Sequence, residues 1–85
     1  MSDDKAAVIV YGAEWCAFCH EAMHYMDKLG VKYDYRNVEL NGQDAIAAVQ
    51  KSGQTGIPVL DIGGDIVVGF DRPRLDEVLH KHKLA

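Results

Sequence analysis

Residues 7–19 read Ala-Val-Ile-Val-Tyr-Gly-Ala-Glu-Trp-Cys-Ala-Phe-Cys, an apolar run that leads into two cysteines separated by two residues. The continuous apolar character over residues 6–11 predicts a central β-strand that is buried on both faces. From Cys16 onward the apolar residues recur with helical spacing, so a helix is expected to begin there. A lone Cys-x-x-Cys where a strand meets a helix is typical of a thiol–disulfide redox centre.

The two cysteines are predicted to have different roles. The spacing places Cys16 at the N-terminus of the helix and Cys19 one turn inside it, so a disulfide can close with little backbone movement. Unpaired N–H groups and the helix dipole favour a negative sulfur at Cys16, which we predict to be the nucleophile. Cys19 is predicted to resolve the mixed disulfide.

His20 creates two alternative interpretations, because a Cys-x-x-Cys-His motif also attaches c-type haem. The β-rich remainder argues against haem, as does the acidic start Met1–Lys5, which lacks the features of an export signal. Zinc ligation by both cysteines, His20 and His24 is disfavoured, since Cys19 falls on the predicted buried stripe and the histidines fall on the polar side. We therefore predict no metal site within the chain.

Composition narrows the class of protein further. The 85 residues predict a single domain over 1–85, with a formal charge of −4 and nine scattered Lys and Arg residues. This charge argues against nucleic-acid binding, and the absence of a long apolar run argues against membrane insertion. We expect a cytoplasmic monomer. The basic run His80-Lys81-His82-Lys83 is expected to stabilise the end of the last helix.

The remaining elements follow from periodicity and turn residues. The first helix is expected to bury one stripe and end at Gly30; the stripe comprises Cys19, Ala22, Met23, Met26 and Leu29. A second strand is predicted over residues 32–39. Asn41 is expected to cap a short second helix, with Ile46 and Val49 on its apolar side.

The last third of the chain predicts a hairpin and a helix. Two β-rich runs, residues 57–62 and 65–68, are separated by Gly63-Gly64, a strong hairpin signal. Asp71 is expected to cap a helix that buries Leu75, Val78 and Leu79. The predicted order is β-α-β-α-β-β-α, an α/β fold with a four-stranded mixed sheet flanked by three helices. Its first two strands are parallel and its last two antiparallel.

Three motifs in this order resemble the glutaredoxin family of the thioredoxin superfamily: Cys16-Ala17-Phe18-Cys19, Gly56-Ile57-Pro58 and Gly69-Phe70-Asp71. The resemblance implies a thioredoxin-like fold. It also implies that Pro58 is cis beside the reactive cysteine, that the backbone of Ile57 docks the substrate or glutathione, and that Gly69, Phe70 and Asp71 contribute to the same site. Trp15 and Phe18 flank the cysteines, and we predict that both contact substrate.

Two positions depart from the family pattern. Glutaredoxins usually carry a lysine three residues before the first cysteine, where this chain has Ala13, and Asp71 is followed by Arg72 instead of a second acid. Gly69-Phe70, followed by Arg72-Pro73, resembles the glutaredoxin-like redoxins that reduce ribonucleotide reductase and are recharged by thioredoxin reductase. Because Ala13 and Arg72 stand where charged groups of a glutathione site are usual, glutathione is expected to be a weak electron donor.

The resemblance implies a small dithiol oxidoreductase that reduces protein disulfides or glutathione mixed disulfides. It would hold no bound cofactor and would receive electrons from glutathione or a thioredoxin-reductase-type flavoprotein. Disulfide-containing proteins such as ribonucleotide reductase are its expected partners. The alternative is a binding protein without significant redox catalysis that carries an iron–sulfur cluster, as some glutaredoxins do between two copies with glutathione as an extra ligand.

Overall fold

The computed structural model describes residues 7–84, so the expectation that rests on Met1–Lys5 lies outside the described residues. The elements follow the predicted order. They are β1 (Val8–Gly12), α1 (Ala17–Leu29), β2 (Tyr33–Asn37), α2 (Gly42–Ser52), β3 (Val59–Ile62), β4 (Asp65–Val68) and α3 (Arg72–Lys81). None of the helices within this range is long and apolar enough to cross a membrane.

The strands form one mixed sheet in the order β2-β1-β3-β4. β1 and β2 run parallel, with Val8 opposite Tyr33 and Gly12 opposite Asn37. β1 pairs with β3, and β3 with β4, in antiparallel register. The hairpin predicted from Gly63-Gly64 is confirmed, and both glycines have the positive φ that a tight turn requires.

The central position of β1 explains its continuous apolar sequence. Val8 and Val10 pack with α1 and α3 on one face of the sheet. Successive side chains alternate between faces, so Ile9 and Tyr11 pack on the other side, against Ala48 of α2. The larger core therefore lies under α1 and α3. It includes Met26, Leu60, Ile62, Leu75 and Leu79, all fully buried.

The predicted helix caps are confirmed. Asn41 accepts hydrogen bonds from the backbone of Gln43 and Asp44 at the start of α2, and Asp71 accepts one from Arg74 at the start of α3. Gly30 ends α1 in the left-handed conformation. These caps fix where each helix begins or ends relative to the sheet edge that carries the cysteines.

Two predictions of buried apolar faces are wrong. Ile46 and Val49 of α2 are exposed, 59% and 41% of their surfaces being accessible, because the helix turns its small Ala48 toward the sheet. An alanine-lined face lets α2 approach the strands closely, and this places the larger side chains in solvent. Leu29 is also exposed, since it is the last residue of α1 and lies beyond the sheet-covered part of the helix.

The basic run at the end of α3 binds the hairpin. Lys81 Nζ lies 3.0 Å and His82 Nε2 lies 2.7 Å from Oδ2 of Asp65. Hydrogen bonds from His82 and Lys81 lower the pKa of Asp65. The run therefore ties the helix end to the β3–β4 turn, in addition to any interaction with the helix dipole.

Candidate active site

Cys16 caps the N-terminus of α1 with its own sulfur. Its Sγ accepts a hydrogen bond from the backbone N–H of Cys19 at 3.2 Å, and its own N–H donates to Ala13 O at 3.1 Å. The sulfur therefore lies at the positive end of the helix, against one of its unpaired N–H groups.

Cys19 lies behind Cys16 and is fully buried. Burial, and then the hydrogen bond with Cys16, raise the pKa of Cys19 to about 12. Gly12 makes room for it, because a Cβ added at Gly12 would lie 2.6 Å from the Cys19 Sγ. The pair is thus asymmetric, with one sulfur at the helix terminus and the other held protonated in the core.

A groove of about 460 Å³ opens beside Cys16. Its walls include Trp15 and Phe18, which are 69% and 65% exposed, and Ile57 from the opposite loop. Both aromatic side chains are accessible at the groove, and their contact with substrate stays a prediction. The structure therefore brings four of the predicted site residues to one surface.

Pro58 follows Ile57 in the chain and does not itself line the groove. The Ile57–Pro58 peptide bond is cis, as the resemblance implied, and Pro58 is buried. The backbone N–H of Gly69 donates to Pro58 O at 2.8 Å, which connects the loop before α3 to this side of the groove.

The other predicted binding residues, which also lie within residues 7–84, do not line the groove. Phe70 packs edge-on against Tyr25, with ring centroids 5.9 Å apart. The Asp71 carboxylate caps α3. The guanidinium of Arg72 lies 4.1 Å from the centre of the Tyr25 ring. Arg72 is therefore engaged with α1.

Ala13, which stands where glutaredoxins usually carry a lysine, is a buried position in this structure. Ala13 is fully buried in a small cluster with Cys16 and Cys19. A lysine here would carry its charge from a position whose present side chain has no contact with solvent. The nine residues that line the groove, all within the described range, include no lysine or arginine.

Two acidic residues near the cysteines were missed by the sequence analysis. Glu39 Oε2 accepts a hydrogen bond from Trp15 Nε1 at 2.5 Å. Glu14 Oε2 accepts one from the Tyr35 hydroxyl at 3.1 Å, and burial, followed by this bond, raises the pKa of Tyr35 to about 12. The parallel pairing of β1 and β2 offered a signal, because their carboxyl ends share one sheet edge and Glu39 lies just beyond that end.

The histidines of the motif do not join the cysteines. The His20 ring Nε2 hydrogen bonds with Glu14 O at 2.7 Å. Across the part of the chain that the structure describes, no three His, Cys, Asp or Glu side chains are grouped so that they could hold a metal ion.

The fold and the cysteine pair define a thiol–disulfide redoxin with a thioredoxin-like fold. The family model for glutaredoxin matches residues 8–67. The chain belongs to the glutaredoxin family, as its motifs predicted, and carries the Cys16–Cys19 pair of a glutaredoxin-like redoxin.

Known relatives agree with this assignment. A glutaredoxin-like 8.6 kDa protein in the rubredoxin operon of Clostridium pasteurianum is 26% identical over 85% of this chain and 96% of its own. The glutaredoxin of Archaeoglobus fulgidus superposes with a TM-score of 0.80, at 23% identity, over 87% of this chain and 86% of its own.

Two further solved structures are those of a glutaredoxin-like redoxin and of a glutaredoxin bound to glutathione. The NrdH-redoxin of Escherichia coli, a glutaredoxin-like protein with a thioredoxin-like activity profile, superposes with a TM-score of 0.72 at 23% identity, over 82% of this chain and 91% of its own. A buckwheat glutaredoxin in complex with glutathione superposes with a TM-score of 0.67 at 25% identity, over 92% of this chain and 69% of its own.

Proposed function

We propose that this protein is a dithiol oxidoreductase that reduces disulfides in proteins and mixed disulfides with glutathione, through Cys16 and Cys19. The observation that carries the proposal is the asymmetry of the pair. Cys16, with 5% of its surface exposed, lies at the helix N-terminus and lines an open groove, whereas Cys19 is fully buried and does not line it. An incoming disulfide in the groove meets Cys16 first.

The reaction consists of two exchanges. The Cys16 thiolate attacks one sulfur of the substrate disulfide, whose S–S bond breaks; the other substrate sulfur leaves as a thiolate and takes a proton from water. Cys19 then gives its proton to water and attacks Cys16 Sγ. This attack breaks the mixed disulfide, releases the second substrate thiol and leaves a Cys16–Cys19 disulfide. Two electrons have then passed from the protein to the substrate.

The groove suggests how the substrate is held. Trp15 and Phe18 supply exposed aromatic surface, and the resemblance to glutaredoxins implies that the backbone of Ile57, before the cis Pro58, pairs with an extended substrate chain. The backbone N–H of Gly69 donates a hydrogen bond to Pro58 O. In the same loop before α3, Phe70 packs against Tyr25 of α1, and Asp71 caps α3. We therefore assign Trp15, Phe18 and Ile57 to substrate contact, and Pro58, Gly69, Phe70 and Asp71 to positioning.

Two electron sources are compatible with the relatives, glutathione and a flavoprotein of the thioredoxin-reductase type. Glutathione carries two carboxylates, which need cationic partners, and the groove lining has neither lysine nor arginine. We therefore propose a thioredoxin-reductase-type flavoprotein as the main donor. Protein disulfides such as that of ribonucleotide reductase are the proposed substrates, and the cytoplasm, where thiols are kept reduced, is the proposed location.

Following NADPH consumption tests the proposal. The oxidised protein is supplied with a peptide disulfide and either glutathione plus glutathione reductase or thioredoxin reductase. We expect turnover with both and faster turnover with thioredoxin reductase. If neither donor supported disulfide reduction, the oxidoreductase assignment would be refuted. Faster turnover with glutathione would refute the donor assignment alone.

The raised pKa of Cys19 predicts how the second exchange depends on pH. Since that pKa is about 12, only a small fraction of Cys19 is thiolate near neutral pH, and this fraction rises as pH rises. Burial, the largest cause of this raised pKa, persists in the mixed disulfide, so release of the second thiol should accelerate as pH rises between about pH 6 and pH 9, by up to about tenfold per pH unit. Stopped-flow detection of a chromogenic leaving thiol measures this step, and a release rate that is independent of pH would contradict the prediction.

A further inference from the structure

We propose that Glu39 determines substrate specificity, by selecting disulfides in which a lysine or arginine flanks the reacting cysteine. The inference rests on the proposed function and concerns the same groove. Glu39 lies in the turn after β2, and its carboxylate is on the rim beside Trp15. A protein or peptide segment with a cation next to its disulfide is the occupant that this rim would bind.

Two hydrogen bonds position Glu39, one at its backbone and one at its carboxylate. Asn37 Oδ1 accepts a hydrogen bond from the backbone N–H of Glu39 at 2.8 Å, which fixes the turn. The indole N–H of Trp15 donates to the carboxylate at 2.5 Å. Because the indole is neutral, this bond orients the carboxylate without cancelling its charge, and the remaining lone pairs stay free to accept from a substrate cation.

No lysine or arginine of the described residues lines the groove to neutralise the Glu39 carboxylate. Glu39 is the only Asp, Glu, Lys or Arg among the nine residues that line the groove, all of which the structure describes. The nearby Glu14 adds charge of the same sign. His20 is exposed on α1, and its ring bonds with Glu14 O outside the groove lining. An anionic substrate group would therefore be repelled at the rim and a cationic one attracted.

Trp15 adds a second attraction for the same kind of group. An exposed indole face binds the aliphatic stem and the cation of lysine or arginine, and Trp15 is 69% exposed. The same combination already occurs inside this molecule. Lys51 Nζ lies 5.0 Å from the centre of the Tyr11 ring and 2.6 Å from Asp61 Oδ2. Trp15 and Glu39 offer an aromatic ring and a carboxylate that no cation of the described chain occupies.

Two peptide disulfides that differ only in the residue beside the cysteine, lysine or glutamate, test the inference. At low ionic strength the wild-type protein should reduce the lysine peptide about fivefold faster in kcat/KM, a ratio typical of an exposed charge pair. Glu39→Gln keeps an acceptor for the indole and should bring the ratio close to one. Glu39→Lys should reverse the preference.

The control is Glu77→Gln, which removes the same charge from an exposed site on α3 away from the groove. It should leave the lysine-to-glutamate ratio unchanged, and added salt should shrink the wild-type ratio. An unchanged ratio in Glu39→Gln, or equal rates for both peptides with the wild type at low salt, would overturn the inference and leave the oxidoreductase assignment standing. Failure of the wild type to reduce either peptide would overturn both.

Discussion

Cys16→Ser is expected to abolish disulfide reduction, with a loss of about a thousandfold or more in kcat/KM. A serine hydroxyl stays protonated at neutral pH and cannot form the mixed disulfide. The buried Cys19 cannot substitute for it, because its thiol is not exposed and its pKa is about 12. The measurement is NADPH-coupled reduction of a peptide disulfide.

Cys19→Ser serves as the matched variant, since it removes one sulfur from the same pair. It should lose reduction of protein disulfides, because the second exchange has no internal thiol. It should keep part of its activity toward glutathione mixed disulfides, where external glutathione can release Cys16. Equal loss of both activities in the two variants would contradict the assignment of roles.

Gly12→Ala is expected to lower the free energy of unfolding by about 1–3 kcal/mol and to impair the second exchange. The new Cβ would lie 2.6 Å from the Sγ and 3.0 Å from the Cβ of Cys19, so the resolving sulfur must move. Denaturant unfolding gives the stability change, and stopped-flow release of the second thiol gives the rate. The rate at which the mixed disulfide forms at Cys16 should change less than the rate at which Cys19 resolves it.

Two controls separate this steric effect from a general glycine effect. Gly42→Ala should be nearly neutral, because an added Cβ there meets no atom within 4 Å. Combining Gly12→Ala with Cys19→Ala removes the closest clashing atom, so the double variant should be more stable than the sum of the single changes predicts. Additive stability losses would show that Gly12 does not act through the Cys19 sulfur.

Much of the fold could be predicted because local signals agreed with one another. The apolar run over residues 7–11, the Gly63-Gly64 turn and the capping residues Asn41 and Asp71 each depend on chemistry within a few residues. Their order left few possible topologies, since parallel crossovers are right-handed and a two-glycine turn joins antiparallel strands. The cysteine pair identified the candidate site because its spacing is also a signal contained within a few residues.

The features that escaped prediction depend on distant packing. Periodicity showed that Ile46 and Val49 share a face of α2, but only the sheet shows that the alanine face is the one it buries. Similarly, nothing near Arg72 in the sequence indicates that it stacks on Tyr25. Glu39 and Trp15 are 24 residues apart and meet only because β1 and β2 end at the same edge.

Formation of a covalent adduct tests the central claim most directly. Cys16→Ser and Cys19→Ser, each with one remaining thiol, are mixed with the same peptide disulfide, and intact masses are recorded. Attack by Cys16 predicts that Cys19→Ser gains the mass of one peptide, which dithiothreitol removes, while Cys16→Ser stays unmodified. An adduct on Cys16→Ser, or its absence from Cys19→Ser, would contradict the claim that Cys16 is the nucleophile.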